Sequence, residues 1–294
     1  MIVRTVRSVL APFALTLAAC GTAGGGSIVG PECVADVAPA RETGIIAAPI
    51  ELPSYYGRLA ALAKGLPVRE LVQIRSGNYR MPVIHIGPLG KRGRPRLLIV
   101  AGMRGNEPAA ALAALSILAD VRRSPERYSD VELHVITPAS PIALLDQSPY
   151  GSFGCDVDRD FGRFRTPEAR AIRAALQEIS PRLVLTLHEG AHSRFSVVGD
   201  AAVPERWLRA AAAAAETEGL TLERPGFLGW FGDAGVAHAG WSAFPDGSLA
   251  AFAQSEKIGA MSSEGPGAIV DTRLRIACHL AATRALAREF GRKD

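Results

Sequence analysis

The chain has 294 residues, 48% of them hydrophobic and 21% charged, the profile of a soluble globular protein with one large α/β domain or two small ones. Its net charge of +4 is modest and its arginines are scattered. There is no basic stripe with interleaved aromatics, which argues against nucleic acid as a partner.

Taken in chain order, Arg4 and Arg7 precede an apolar stretch, Val9 to Ala19, broken by Pro12. That stretch is too short to span a bilayer as a mature helix and suits the apolar part of a secretory signal. It ends in Leu17-Ala18-Ala19-Cys20, which resembles the bacterial lipobox. The resemblance implies a signal peptide over 1–19, a lipid on Cys20 and an envelope protein facing the periplasm. Gly21 after the cysteine favours the outer membrane. An ordinary signal peptide with an incidental cysteine is the alternative. No later segment reaches about 18 uninterrupted apolar residues, so the lipid would be the sole membrane attachment. Residues 20–53 are rich in Gly, Ala and Pro and read as a flexible tether, leaving 54–294 as the folded domain, expected as a monomer. Cys33, Cys155 and Cys278 allow one disulfide with one thiol over, and the pairing stays open. None has C-x-x-C spacing, so a cysteine metal site is not expected.

From Tyr55 onward strand-like and helix-like segments alternate. Leu71 to Ile74 and Met81 to Ile86 are short β-rich runs around a Ser76-Gly77-Asn78 turn signal, suggesting a hairpin. Arg96 to Gly102 is the continuous apolar run of a strand buried on both faces. Pro108 to Val121 is helical by its alanine and leucine content. Val131 to Thr137 is the next strand, and Pro167 to Ile179 a helix with Thr166 as N-cap. Leu183 to Leu187 is a buried strand, Glu205 to Glu218 a helix, Ile258 to Ser262 a strand and Thr272 to Phe290 a closing helix. This alternation predicts an α/β fold with a mixed, mainly parallel sheet and helices on both faces. Ligands of such sheets bind beyond the carboxyl ends of the strands.

Three strands end in titratable residues: Gly102-Met103-Arg104-Gly105-Asn106-Glu107-Pro108, Leu187-His188-Glu189-Gly190 and Ser262-Ser263-Glu264-Gly265-Pro266. Between them lies Asp156-Val157-Asp158-Arg159-Asp160-Phe161. One charged residue emerging from a strand into a loop is commonplace; three such ends in one domain point to a site.

In this order the four motifs resemble those of zinc carboxypeptidases and their murein-peptide amidase and acylamino-acid deacylase relatives. The likeness covers roughly Leu97 to Pro266. It implies a carboxypeptidase-like fold and metal-assisted hydrolysis of a peptide or acylamino-acid amide bond. There a zinc ion held by imidazoles and a carboxylate lowers the pKa of a bound water, and a glutamate moves its proton. By resemblance Glu107 and His188 are metal ligands, Glu264 is the general base, and Arg159, beside Asp158, grips a substrate carboxylate. Cell-wall peptides are the substrate class the expected location suggests.

The departures matter equally. Arg104 stands where the family has its first zinc histidine, and a guanidinium has no lone pair to give a metal. Asp158 stands in place of a neutral asparagine. No arginine lies between Val131 and Asp158, where the family usually has one. His188-Glu189-Gly190-Ala191-His192 also matches the HExxH pattern of another metalloprotease class, which works only on a helix. His192 is thus open as a substitute zinc ligand or as a bystander. The readings that remain are a hydrolase with a degenerate metal site, and an inactive carboxypeptidase-fold lipoprotein whose Arg104 and Arg159 bind a carboxylate. A serine hydrolase lacks its GxSxG elbow. His85, His134 and His279 read as structural or exposed, and Trp230, Phe231, His238, Trp241 and Phe244 as members of a loop, Gly226 to Gly247, that walls the site or packs on itself.

Overall fold

The computed structural model describes residues 44–74, 78–87, 93–224, 235–238 and 244–292. The expected signal peptide, Cys20, Cys33 and the expected tether up to residue 43 lie outside them, as do Trp230, Phe231 and Trp241. The elements in chain order are α1 (Leu52–Ala63), β1 (Val68–Ile74), β2 (Tyr79–Ile86), β3 (Arg96–Ala101), α2 (Pro108–Arg123) and β4 (Glu132–Ile136). After them come α3 (Pro141–Asp146), α4 (Pro167–Ile179), β5 (Leu183–Gly190), β6 (Ser196–Gly199) and α5 (Glu205–Thr217). The last are β7 (Val236–His238), α6 (Leu249–Ser255), β8 (Gly259–Pro266) and α7 (Thr272–Gly291).

The eight strands form one sheet in the order β1-β2-β4-β3-β5-β8-β6-β7. Its middle, β4-β3-β5-β8, is parallel throughout, while β1–β2, β2–β4 and β6–β8 pair antiparallel. The expected α/β class, with a mixed sheet between helices, is the one found.

The apolar run that makes β3 explains the two layers of core. Leu97, Ile99 and Ala101 point into the cluster beneath α1, α2, α5 and α7, whereas Leu98 and Val100 point into the cluster beneath α4 and α6. Strand side chains alternate between faces, so only a strand covered on both sides tolerates an unbroken apolar sequence. Burying each such side chain contributes about 1.5–3 kcal/mol. Helix α4 begins as its sequence dictates, with the Thr166 side chain accepting from the Ala169 N–H at 3.1 Å.

One buried ion pair ties the layers together near the site. Arg275 on α7 is 0% exposed and donates through Nε to Glu189 on β5 at 2.6 Å. The other Glu189 oxygen accepts the Ala109 N–H at 2.7 Å, so a residue of β5 caps the first turn of α2. Arg275 also donates to the Ile46 carbonyl at 2.8 Å, and the Ile46 N–H donates to the Gly267 carbonyl at 2.8 Å. Residues near 46, within the span whose composition reads as tether, are thus docked on the domain. Cys278 is a free, buried thiol and Cys155 is disulfide-bonded. Among the described residues no helix is long and apolar enough to cross a membrane.

Removing one partner of a fully buried pair strands the other charge in the core. Arg275→Ala is therefore expected to cost about 3–5 kcal/mol of unfolding free energy in urea titrations. A loss below about 1 kcal/mol, the range of an exposed pair, would show that Glu189 does not depend on Arg275.

Candidate functional site

Strands β5 and β8 run further than their apolar cores suggest. They were expected over Leu183–Leu187 and Ile258–Ser262 but extend to Gly190 and Pro266, so His188 and Glu264 sit on the sheet rather than in loops. Parallel register places Thr186 beside Ser262 and His188 beside Glu264, and β6 adds Ser196 opposite Glu264. With side chains alternating along each strand, these residues share the face that carries Val184 and Ala260 deeper in the core. The same register rules out the HExxH reading. His188 to Gly190 is strand, not helix, and a Cβ on Gly190 would lie 2.2 Å from Nε2 of His192, so that glycine makes room for the imidazole.

Arg104 and Glu107 come from the turn between β3 and α2. Gly105 holds this turn against α3: its N–H donates to the Ser148 carbonyl at 2.7 Å, and a Cβ there would meet the Ala143 carbonyl oxygen at 1.6 Å. The third contribution is the 3₁₀ turn Val157–Arg159, where the Asp156 side chain accepts the Asp158 N–H at 3.0 Å.

These pieces meet around Arg104. Its guanidinium donates to Asp156 through Nη2 at 3.0 Å and Nε at 3.2 Å, and to Glu107 through Nη1 at 3.2 Å. Asp158 lies 3.5 Å from Nη2. The second oxygen of Glu107 faces Nδ1 of His188 at 2.8 Å and the Glu189 N–H at 3.3 Å. Glu107 is 2% exposed. Burial works against its charge, but His188 and Arg104 overcome that and lower its pKa. Burial likewise opposes a charge on His188, yet Glu107 and Asp158 outweigh it and raise the imidazole to about 10. For Asp156 burial dominates and its pKa is raised despite Arg104.

The cluster forms one side of a cavity of about 440 Å³. Arg104, Asp158, Arg159, His188, His192 and Glu264 all line it and Glu107 sits directly behind, while Cys20 lies outside the described residues. Glu264 accepts a hydrogen bond from Ser262 on the same strand. Arg159 is exposed, and its side chain enters no ion pair or hydrogen bond among the described residues. Phe244 also lines the cavity, as the loop reading allowed. Thr186, Ser196, Ser262 and Glu223 line it too and were not singled out from sequence. The first and third could have been, since each lies two residues before a motif residue on its strand. Away from the cavity, His85 and His134 face each other, Nδ1 to Nδ1, at 2.7 Å, and His279 is buried against Ser263.

Neither a protein-family model nor a curated protein matches this sequence. Solved structures do. A candidate metallopeptidase of Shewanella denitrificans is 21% identical with a TM-score of 0.70, over 82% of this chain and 91% of that one. A metallo-carboxypeptidase of Burkholderia cenocepacia is 14% identical with a TM-score of 0.66, over 82% and 69%. The Pseudomonas aeruginosa metallo-carboxypeptidase in complex with (2-guanidinoethylmercapto)succinic acid is 14% identical with a TM-score of 0.65, over 83% and 70%. The fold is that of the metallo-carboxypeptidases.

The zinc that such a fold implies does not fit the residues present. Both oxygens of Glu107 are engaged, one by a guanidinium that can donate no lone pair. His192 shares the cavity but completes no donor set: among the described residues no three His, Cys, Asp or Glu side chains are grouped to hold an ion. A dication would also have to sit beside the fixed charge of Arg104. The chain purified and dialysed against zinc should therefore carry no stoichiometric metal by mass spectrometry. The double variant Arg104→His/Asp158→Asn should acquire it, because an imidazole then joins Glu107 and His188. Stoichiometric zinc in the unaltered chain would overturn the assignment.

Proposed function

We propose that this chain is a carboxypeptidase-fold binding protein. In this reading it holds a small carboxylate-bearing ligand, a peptide terminus or an acylated amino acid, without metal-assisted hydrolysis. The observation that carries it is the saturation of Arg104 by Glu107, Asp156 and Asp158, which closes the route to a metal-bound water while leaving the cavity open. Arg104 is consequently not the ligand's partner. That role falls to Arg159, whose planar fork is free to take a carboxylate in bidentate fashion. The ligand of the Pseudomonas protein, a succinic acid bearing a guanidinoethylmercapto group, is in keeping with a carboxylate ligand. The second reading, a hydrolase, rests on one specific observation: Glu264 and His188 occupy neighbouring register positions facing the same cavity.

Calorimetry with acylated amino acids tests the first reading. Binding should be measurable with the unaltered chain and weakened by about tenfold or more, roughly 1.4 kcal/mol, in Arg159→Ala. Turnover of a peptide by the metal-free chain, lost in Glu264→Gln, would establish the hydrolase instead. The proposal extends to location: Arg4, Arg7 and the Ala18-Ala19-Cys20 sequence support a lipid-anchored envelope protein, with cell-wall peptides as accessible ligands. Cys20→Ala should then move the protein from the membrane fraction to the soluble one, and unchanged fractionation would refute the anchor.

A further inference from the structure

The end of the sheet opposite the cavity is basic. The parallel strands β3 and β5 begin there, and α2 and α7, which return from the carboxyl ends of β3 and β8, finish there. The C-terminal end of α1 joins them, since Arg122 of α2 donates to the Leu62 and Lys64 carbonyls at 3.2 and 2.8 Å. Lys64, Arg94, Arg122, Arg123, Arg182 and Arg288 stand at this end, all but Arg94 exposed, and none has an ion pair among the described residues. The ion pairs nearby are themselves short of anions. Asp120 serves both Arg127 and Arg284, at 3.2 and 2.6 Å, and Glu289 serves both Arg206 and Arg292, at 3.3 and 2.8 Å. In the turns and helix ends named here, Glu126 and Asp130 are the exposed carboxylates without an ion pair.

Like charges gathered at one end repel one another unless a surface of opposite sign meets them. The aromatic rings at this end, Tyr128, Trp207 and Phe290, are buried, and Arg182 covers the Trp207 ring at 5.0 Å. No ring is therefore offered on which a base could stack, and a broad surface of phosphate headgroups fits better than a nucleic-acid strand. We infer that this end docks on an anionic lipid surface. The cavity, at the far end of a domain about 30 Å tall along α7, then opens away from the membrane. Each cation near an anionic leaflet strengthens binding by about fivefold, but salt screens it beyond about 8 Å at physiological ionic strength. The contact thus orients a chain that is already tethered rather than holding a free one. From Cys20 to residue 44 the chain can span roughly 80 Å, enough to pass the whole domain. The inference is independent of the ligand in the cavity and of a lipid on Cys20.

Co-sedimentation with vesicles at low ionic strength tests it, using the chain from residue 20 with Cys20→Ala, which lacks the expected signal peptide and keeps every described residue. Phosphatidylcholine vesicles with about a quarter phosphatidylglycerol should bind it about tenfold or more tighter than pure phosphatidylcholine, and salt should abolish the difference. Arg123→Gln/Arg288→Gln removes two exposed cations that hold no carboxylate and should weaken that binding by about tenfold or more. Arg163→Gln/Arg273→Gln, the same change of net charge on exposed residues elsewhere, should leave it within about threefold. Equal binding to the two kinds of vesicle overturns the inference. So do equal losses in the two double variants, which would show net charge rather than this face at work, and so does binding of a short single-stranded DNA as tight as that of the anionic vesicles.

Discussion

The site depends on a buried guanidinium. Arg104 is largely enclosed, and a cation so placed persists only if carboxylates surround it and its donors are used. Three do, reached from two separate segments: Glu107 from its own turn, and Asp156 and Asp158 from the 3₁₀ turn. The departures from the carboxypeptidase pattern at Arg104 and Asp158 are therefore not independent. The extra positive charge at one position and the extra negative charge at the other lie 3.5 Å apart and offset each other. Asp158 is thereby spent on Arg104, with its other oxygen near the Leu249 N–H at 3.4 Å, and is not the partner of Arg159 that sequence alone permits.

That cluster stays in place because its supports are themselves over-determined. His188 can reach Glu107 only while β5 keeps its register against β3, where Leu187 pairs with Ala101. The next residue, Glu189, points to the opposite face, where Arg275 and the first turn of α2 hold it. Adjacent residues of one strand thus serve the two faces of the sheet: one faces the cavity and its neighbour anchors the helix layer. Since a slip by a single residue would exchange those faces, the Glu189–Arg275 pair fixes the register on which His188 depends.

Much of this was legible in the sequence, for identifiable reasons. The run Leu97 to Ala101 reads as a doubly covered strand because no other element tolerates such a sequence, and Thr166-Pro167 marks a helix start through capping chemistry. The motif order alone assigns Arg104, Glu107, Asp158, Arg159, His188 and Glu264 to one site. The extension of β5 and β8 into their polar ends was not legible, since backbone pairing between neighbours holds those residues extended against their composition. Nor was the start of α1 at Leu52, inside the span read as tether, where Leu52, Tyr55 and Leu59 are buried against the core. Glu223 gave no signal at all. It stands in an irregular stretch after α5, and only chain closure around β6 brings it to the cavity.

A zinc ion and the cluster found here are comparable in charge and different in chemistry. The ion would bring two positive charges to Glu107 and its neighbours; Arg104 and an imidazole raised to about 10 bring two as well. Those two positive charges face three carboxylates, Glu107, Asp156 and Asp158, and offset most of their charge. What the protein groups lack is an open coordination position. A metal polarises a bound water and lowers its pKa toward neutrality, whereas a guanidinium already bonded to three carboxylates can do neither. Electrostatic balance and Lewis acidity, which one ion supplies together, are separable in side chains, and here only the first is present. With most of that acidic charge offset internally, the Arg159 side chain faces the cavity with no ion pair among the described residues, which favours a ligand that carries a carboxylate.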